Sequence, residues 1–242
     1  MAETLFDQCR ELFDRLGLPR NDVCESCEAE IKAPLLPWHV GEDYQDARNR
    51  LVFVGKPHRG RPGEELSSGA LDARELATDL YFNSSWAYWS YTKEIISRVY
   101  GNAETGWKNV ALLNAVKCTS TSSTDKTSYQ TAASCIDRLE VLPRELSILQ
   151  PTMVVFYTWH FHRNLFAKPF FNDDYTGYNE VTSPKHKVPC KNKKIGWWHR
   201  DFRTRWCGEL SVLVVSHPER KGKREYISLL TEWVQTNSGV CL

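Results

Sequence analysis

The sequence predicts an α/β fold, a three-layer α/β/α sandwich with a central four-stranded parallel sheet. The first observation is four short apolar runs without alternation, at residues 51–55, 110–116, 153–158 and 211–216. Continuous runs of this kind are expected for strands that are covered on both faces. The second observation is that helical patterns separate the runs, which implies right-handed crossovers between parallel strands. We expect the 242 residues to form a single domain.

Two segments show the clearest helical periodicity. Residues 86–99 (WAYWSYTKEIISRV) predict one helix, and residues 132–149 predict a second that Pro143 kinks or divides into two. Two connections, residues 56–80 and 159–208, are long for loops, and loops of that length are usually functional or contain short elements. In a sheet of this type, functional residues lie beyond the carboxyl ends of the strands.

The composition is that of a globular protein, with 41% hydrophobic and 25% charged residues. No apolar run reaches the about 18 residues of a membrane span, and the N-terminus lacks the features of a secretory signal, so we expect a cytoplasmic protein. The formal net charge of +1 neither requires nor excludes a nucleic-acid partner. Basic residues concentrate from Pro184 onward, which fits either a face that binds phosphates or an ordinary solvated surface.

Four of the eight cysteines form a pattern that favours a metal or cluster site over disulfides in a cytosolic chain. Cys24 and Cys27 form a C-x-x-C pair, Cys118 follows the second predicted strand, and Cys135 lies in the next helix. Four thiolates suffice for an iron–sulfur cluster or for zinc, and four unrelated buried thiols are the third interpretation. A second metal site with scattered spacing is a weaker alternative, formed from His160, His162, Cys190, His199 and Cys207.

Several motifs resemble those of the uracil-DNA glycosylase superfamily, in its iron–sulfur, family-four-like branch. The segments CESC at 24–27, NAVKC at 114–118 and SCIDRL at 134–139 follow the cysteine order of that branch. LVFVG at 51–55 resembles its first strand, and SHPERKGKREYISLLTEWV at 216–234 resembles its second catalytic motif and closing helix. The pattern covers roughly residues 20–235 in order.

The resemblance implies a [4Fe–4S] cluster on Cys24, Cys27, Cys118 and Cys135, with a structural role near DNA. It also implies a DNA glycosylase, which flips a modified pyrimidine out of DNA and hydrolyses its N-glycosidic bond to leave an abasic site. The expected protein is a monomer acting on duplex or single-stranded DNA, associated with the nucleoid if the source is a prokaryote.

The resemblance also implies roles for individual side chains. Asn114 ends the second strand, where its amide offers both a donor and an acceptor to a pyrimidine edge. His217 is expected to stabilise negative charge on the departing base. Gly55 is expected beside the base, and Phe82 or Tyr81 to stack on it. The alternatives are a strand-capping Asn114, an incidental His217 and two core aromatics.

The segment after the fourth strand is expected to hold the DNA backbone. Resemblance and charge together suggest that its hydroxyl and cationic side chains contact phosphates. These residues are Ser216, Arg220, Lys221 and Lys223.

The first catalytic motif departs from the family pattern of glycine–glutamate–alanine–proline–glycine. The chain has GKPHRG at 55–60, with Lys56 where the glutamate is expected. The water-activating group is then sought in His58, Glu64 or Glu65, with Asp79 as a further candidate. Otherwise the reaction relies on stabilising the leaving group, or activity has been lost.

The aromatic-rich segment 159–208 suggests a rebuilt pocket. Uracil needs a small, tight site, so the extra material favours a bulkier base or a different DNA context, in DNA repair or in defence against phages that carry hypermodified bases. Two rival functions stay open. One is a superfamily member that crosslinks covalently to DNA through a histidine, and the other is a catalytically inactive DNA-binding module.

Overall fold

A computed structural model describes residues 3–29, 31–57, 70–119, 127–158, 178–179, 186–188, 195–202, 204, 206 and 210–238. The helices within these ranges are α1 (Leu5–Arg15), α2 (Asp22–Glu25), α3 (Arg74–Asn83), α4 (Ala87–Tyr100), α5 (Ala103–Lys108), α6 (Tyr129–Ala133), α7 (Val141–Leu149) and α8 (Lys223–Asn237), with a π-helical turn at Ser134–Arg138. None of the helices in the described ranges combines the length and the apolar character needed to cross a bilayer.

The strands form one large sheet and one small ribbon. They are β1 (Ile31–Pro34), β2 (His39–Val40), β3 (Leu51–Gly55), β4 (Val110–Asn114), β5 (Cys118–Thr119), β6 (Met153–Phe156), β7 (Tyr178–Asn179), β8 (His186–Val188), β9 (Ile195–Phe202) and β10 (Leu210–Val215). The large sheet has the order β2-β4-β3-β6-β10-β9-β7, with β8 also paired to β9, and the ribbon pairs β1 with β5.

The centre of the sheet is parallel and its edges are antiparallel. Strands β4, β3, β6 and β10 run in the same direction, so their carboxyl ends lie at one edge. Strand β2 runs antiparallel to β4, and β9 runs antiparallel to β10. This arrangement places the residues that follow the parallel strands beside one another.

Two hydrophobic clusters cover the two faces of the sheet, as the uninterrupted apolar runs predict. Val52 and Val54 pack with α1 and α7 on one face. Leu51 and Phe53 pack with α3, α4 and α8 on the other. Successive residues of one strand thus serve both layers, which is the reason the run contains no polar residue.

The predicted fold class is confirmed. The four predicted strands are the four parallel strands, with small differences at their ends. The prediction was incomplete at the edges, because β9 lies within the long segment 159–208 and extends the sheet beyond β10.

The predicted helix at 86–99 corresponds to α4, for which Trp86 is the N-cap residue. The predicted helix at 132–149 is divided, as Pro143 suggested. The break falls at Glu140, which has a left-handed φ of 51°, and Pro143 lies in the first turn of α7. A proline is tolerated there because backbone N–H groups in the first turn have no partner within the helix.

Candidate active site and cysteine pocket

Gly55 and Asn114 lie side by side at the carboxyl edge of the parallel sheet. They are register partners at the ends of β3 and β4. A Cβ atom at Gly55 would lie 3.1 Å from Asn114 Oδ1 and also 3.1 Å from the hydroxyl and the ring of Tyr88. Glycine therefore allows Asn114 and Tyr88 to approach the same point from two different elements.

The amide of Asn114 has a defined orientation. The side chain is 4% exposed, and its Oδ1 accepts a hydrogen bond of 3.1 Å from the indole Nε1 of Trp38. An indole N–H can only donate, so the oxygen of the amide must face Trp38. The amide nitrogen Nδ2 is buried and has no hydrogen-bond partner among the residues that the structure describes. Leaving such a donor unsatisfied costs about 1–3 kcal/mol, so this nitrogen is suited to a ligand acceptor.

Tyr88, in the first turn of α4, contributes a second buried donor. The residue is partly exposed, but its hydroxyl oxygen is buried and has no hydrogen-bond partner within the described ranges. Burial raises the pKa of Tyr88 well above its ordinary value, so the hydroxyl keeps its proton. Its ring lies nearly parallel to the imidazole of His217, with centroids 6.2 Å apart and an interplanar angle of 13°. Tyr88 was not predicted as a site residue, although it lies in the aromatic helix that the sequence singled out.

His217 follows β10 and faces the same group of residues, as predicted. The backbone N–H of Glu219 donates to His217 Nδ1 over 3.3 Å. Because Nδ1 accepts, the neutral ring carries its proton on Nε2. The imidazole therefore supplies a donor at its outer nitrogen. Gly55, Asn114, Tyr88 and His217 are hereafter called the edge site.

Ser216 serves the sheet instead of a DNA-facing surface. It is 6% exposed, and its hydroxyl accepts from the backbone N–H of Gly196 and donates to the carbonyl of the same residue. Its own carbonyl accepts from the Tyr226 hydroxyl over 2.7 Å. These bonds fix the end of β10, and so the position of His217, which corrects the predicted phosphate contact.

The other predicted backbone contacts lie on or near the surface. Arg220 is exposed, with a left-handed φ of 62°, and lies 3.8 Å from the carboxylate of Glu219. Lys223 is exposed and pairs with Glu94 at 3.0 Å. Lys221 is half-buried, and its carbonyl accepts from the Tyr91 hydroxyl. Exposed ion pairs contribute about 0–1 kcal/mol, so a phosphate can replace their carboxylates at little cost.

The predicted stacking aromatics lie elsewhere in the helical layer. Tyr81 is fully buried, its hydroxyl donates to the carbonyl of Ala103, and its ring stacks on Trp107 at a centroid distance of 4.2 Å. This corrects its predicted role, because the ring is a core element without an exposed face. Phe82 is partly buried, and within the described ranges its ring contacts those of Tyr81 and Trp107. Among the described residues, Trp38 and Tyr88 are aromatics that lie beside Asn114.

Three candidates for the water-activating group, His58, Glu64 and Glu65, lie outside the described residues. The same holds for most of the alternative second metal site, since His160, His162, Cys190 and Cys207 are also outside them. Asp79 is exposed on α3 and accepts a hydrogen bond from Asn83. His199 Nε2 and Asp201 Oδ1 form a hydrogen bond of 2.6 Å.

The four predicted cysteines line a single pocket. Cys24 belongs to α2 and Cys27 follows it, Cys118 begins β5, and Cys135 lies in the π-helical turn. The pairing of β1 with β5 brings the N-terminal segment beside Cys118, because Pro34 is the register partner of Cys118. Cysteines that are far apart in the chain therefore line the same pocket.

The donor set of this cysteine pocket fits a thiolate-bound metal centre. Among the described residues that line it there is no carboxylate and no imidazole. The backbone N–H of Lys117 lies 3.4 Å from Cys135 Sγ, and hydrogen bonds to sulfur are one of the features that tune iron–sulfur clusters. The sulfurs are not in a closed coordination geometry, since no group of three His, Cys, Asp or Glu side chains in the described ranges is placed to hold one metal ion.

Burial makes Cys24, Cys118 and Cys135 of the cysteine pocket weaker acids than a free thiol. It raises the pKa of Cys135 to about 12 and raises the pKa values of Cys24 and Cys118, to which neighbouring cysteines add a smaller increase. Thiols bind metals as thiolates, so loading this pocket must release protons. Metal uptake is therefore expected to be favoured by higher pH.

A buried ion pair lies between the edge site and the cysteine pocket. Lys117 precedes Cys118, and its ammonium contacts the carboxylate of Glu145 on α7, with side chains 1% and 0% exposed. Burial raises the pKa of Glu145 to about 7, while the Lys117 ammonium acts in the opposite direction. The pair ties the segment after β4 to α7.

No protein-family model matches this chain, and no curated protein matches its sequence.

Proposed function

We propose that the chain is a DNA glycosylase that binds a flipped pyrimidine at the edge site and hydrolyses its N-glycosidic bond. The observation that supports this most directly is the buried amide nitrogen of Asn114, which has no partner in the described part of the chain while Trp38 holds the amide oxygen. A base carbonyl is an acceptor of the type that this nitrogen lacks. The resemblance to the iron–sulfur uracil-DNA glycosylases supports the same function.

In the proposed reaction, the bond between the sugar C1′ and the base nitrogen breaks, and its electron pair leaves with the base. A water oxygen forms the new bond to C1′, and the proton of that water passes to solvent or to a general base. Asn114 donates to the base, and His217 donates from Nε2 as negative charge develops on a base oxygen. The carboxylate of the family pattern is replaced by Lys56, so the leaving-group side of the reaction carries most of the catalysis in this proposal.

The cysteine pocket is proposed to hold a [4Fe–4S] cluster on Cys24, Cys27, Cys118 and Cys135. When bound, the cluster would supply four iron–sulfur bonds that join α2, β5 and the π-helical turn. Asn114 lies only four residues before Cys118 in the chain, so the same segment serves the pocket and the edge site. We therefore propose that the cluster has a structural role, fixing the segment that presents Asn114.

DNA contact is proposed for the surface around His217. Arg220 and Lys223 are exposed within six residues of it, and Lys223 lies at the start of α8. Cations at this place would bind the phosphates beside the flipped nucleotide. The proposed partner is DNA, and strandedness is an outcome of the experiment below.

The activity test uses the purified protein with DNAs that contain uracil or modified pyrimidines, in single and double strands. Treatment with alkali cuts the strand wherever an abasic site has formed. Asn114→Ala and His217→Ala should each lower excision at least about 100-fold, the loss typical for one donor to a developing oxyanion. Asn83→Ala, at the exposed end of α3, is the matched control and should retain full activity.

The rival functions give different results in the same experiment. A stable protein–DNA adduct on a denaturing gel would favour the covalent crosslinker and contradict hydrolysis. Uncut DNA with every base, from protein that still binds DNA, would favour the inactive binding module. Full activity in both site variants would contradict the assignment of Asn114 and His217.

The cofactor test is separate from the activity test. Anaerobically purified protein should be brown and contain about four irons and four sulfides per chain. Cys118→Ala should lose both, whereas Cys9→Ala, a buried cysteine on α1 outside the pocket, should keep them. Colourless protein with stoichiometric zinc would replace the cluster with a zinc site, and metal-free protein would contradict both.

A further inference from the structure

The edge site contains more hydrogen-bond donors than the proposed reaction has so far used. Asn114 Nδ2 and the Tyr88 hydroxyl are both buried, and neither has a hydrogen-bond partner among the described residues. Both side chains lie against Gly55, where a single Cβ position would be 3.1 Å from Asn114 Oδ1 and from the Tyr88 oxygen. The atom of Asn114 nearest this position is its oxygen, and the donor Nδ2 belongs to the same amide. Two buried donors on side chains that both lie against Gly55 therefore indicate a ligand that offers an acceptor to each.

We propose that Tyr88 is a catalytic residue, whose neutral hydroxyl donates a hydrogen bond to the oxygen of the departing base. This inference rests on the proposed glycosylase function and adds a third donor to Asn114 and His217. As the C1′–N bond breaks, the electron pair moves into the base and charge collects on its carbonyl oxygens. Tyr88 keeps its proton throughout and only its hydrogen bond is lost when the base leaves, so the step needs no further reactant.

The placement of Tyr88 suits this role in two respects. Its ring lies nearly parallel to that of His217, with centroids 6.2 Å apart, so the two proposed donors to the base are neighbours. The ring also packs edge-on against Trp89 and Tyr157, with centroids 5.0 and 5.6 Å away, which fixes the direction of the hydroxyl. A donor held in place before the charge develops costs no reorganisation during the reaction.

A donor at Tyr88 would also help the chain to excise a base without the carboxylate of the first motif. A glutamate would act on the water and the sugar, whereas the groups at the edge site are neutral donors that act on the base. Excision should then depend strongly on how well the base leaves. A base with an electron-withdrawing substituent needs less help and should be less sensitive to the loss of a donor.

The experiment compares uracil with 5-fluorouracil, the better leaving group, at the same position in one oligonucleotide under single-turnover conditions. Tyr88→Phe should slow uracil release about 100-fold but 5-fluorouracil release only about 10-fold or less. Thermal stability should be unchanged or higher, because the substitution removes a buried hydroxyl with no partner among the described residues. A merely structural role for Tyr88 would slow both bases equally.

The matched control is Tyr44→Phe. Tyr44 is fully buried, and its hydroxyl also has no partner within the described ranges, but it packs with the α1 and α7 layer on the opposite face. This variant should release both bases at the wild-type rate. Any equal loss in the control and in Tyr88→Phe would mean that burial, not the edge site, causes the effect.

The remaining outcomes separate the inference from the proposed function. If the wild type releases both bases and Tyr88→Phe releases uracil at the wild-type rate, the inference fails and the glycosylase stands. If the wild type releases neither base but cuts DNA with another pyrimidine, Tyr88→Phe should slow release of that pyrimidine about 100-fold, and release at the wild-type rate overturns the inference while the glycosylase stands. If no base at all is released, the proposed function fails with it.

Discussion

Breaking the ion pair between Lys117 and Glu145 should destabilise the fold by a large fraction of its total stability. Both side chains are almost completely buried, at 1% and 0% exposure, so solvent does not screen the charge that remains. Glu145→Leu leaves the ammonium of Lys117 buried without its counter-charge, which typically costs about 3–5 kcal/mol. Domains of this size have a free energy of unfolding of about 5–15 kcal/mol.

The assay is equilibrium unfolding in urea, followed by tryptophan fluorescence and by far-UV circular dichroism. Glu145→Leu should lower the free energy of unfolding by about 3–5 kcal/mol. The double variant Lys117→Met/Glu145→Leu should recover most of the loss, because two apolar side chains of similar volume need no counter-charge. Glu140→Gln breaks an exposed pair with Arg144 near the start of the same helix, 53% and 51% exposed, and should change stability by less than about 0.5 kcal/mol.

The pH dependence gives a second check with a defined sign. Burial raises the pKa of Glu145 to about 7 even though the Lys117 ammonium lowers it. In Lys117→Met this ammonium is lost, so the pKa of Glu145 should rise further. A carboxyl with a raised pKa in the folded state favours folding at low pH, and this contribution is lost as pH rises through the folded-state value. Lys117→Met should therefore cost less stability at pH 5 than at pH 8. A loss below about 1 kcal/mol in Glu145→Leu, or a double variant as unstable as the sum of the singles, would refute the reasoning.

Three further predictions concern the site and its supports. Gly55→Ala should lower the excision rate about 10-fold with little change in stability toward urea. The added Cβ would lie 3.1 Å from Asn114 and from Tyr88 and would move both side chains by a few tenths of an ångström. Excision at the wild-type rate would contradict this prediction. Burial lowers the pKa of His39 to about 4, so this residue should contribute a fall of about 2–3 kcal/mol in the free energy of unfolding from pH 6.5 to pH 4, as the unfolded chain binds the proton. Glu145 contributes with the opposite sign in this range, so the fall is measured as the difference between the wild type and His39→Gln, and equal pH profiles would contradict it. Ser216→Ala should lower the free energy of unfolding by about 1–3 kcal/mol, because it removes two hydrogen bonds to the neighbouring strand. An unchanged midpoint of urea unfolding would show that these hydrogen bonds are dispensable.

The sequence predicted the parts of the molecule whose patterns are local. The parallel strands were evident because each is buried on both faces and therefore continuously apolar. Gly55 and Asn114 end such strands and His217 follows one, in motifs that resemble those of the glycosylase family, and parallel strands end at the same edge. Their functional roles stay predictions. The resemblance to the iron–sulfur branch grouped Cys24, Cys27, Cys118 and Cys135, and these four residues line one pocket. That they hold a cluster stays a prediction.

The sequence did not predict what depends on contacts between distant elements. The Trp38 indole reaches Asn114 across 76 positions of the chain, and no periodicity marks it. Tyr88 and Tyr81 have similar aromatic surroundings in the sequence, and only packing places the first at the edge site and the second in the core. The edge strands were missed because β2 has two residues and β9 lies within a segment chosen as an insertion for its length.

The contact between Trp38 and Asn114 has a consequence for how such pockets diversify. Trp38 immediately precedes β2, the short antiparallel strand at the border of the sheet, whereas Asn114 belongs to its interior. A change of side chain or a slip in register at this border would free the amide to rotate, and a rotated amide would present an oxygen in place of an N–H to the proposed base, although the asparagine itself is unchanged. Two proteins that share this asparagine can therefore prefer opposite ligand edges, and the residue that decides between them lies on the periphery.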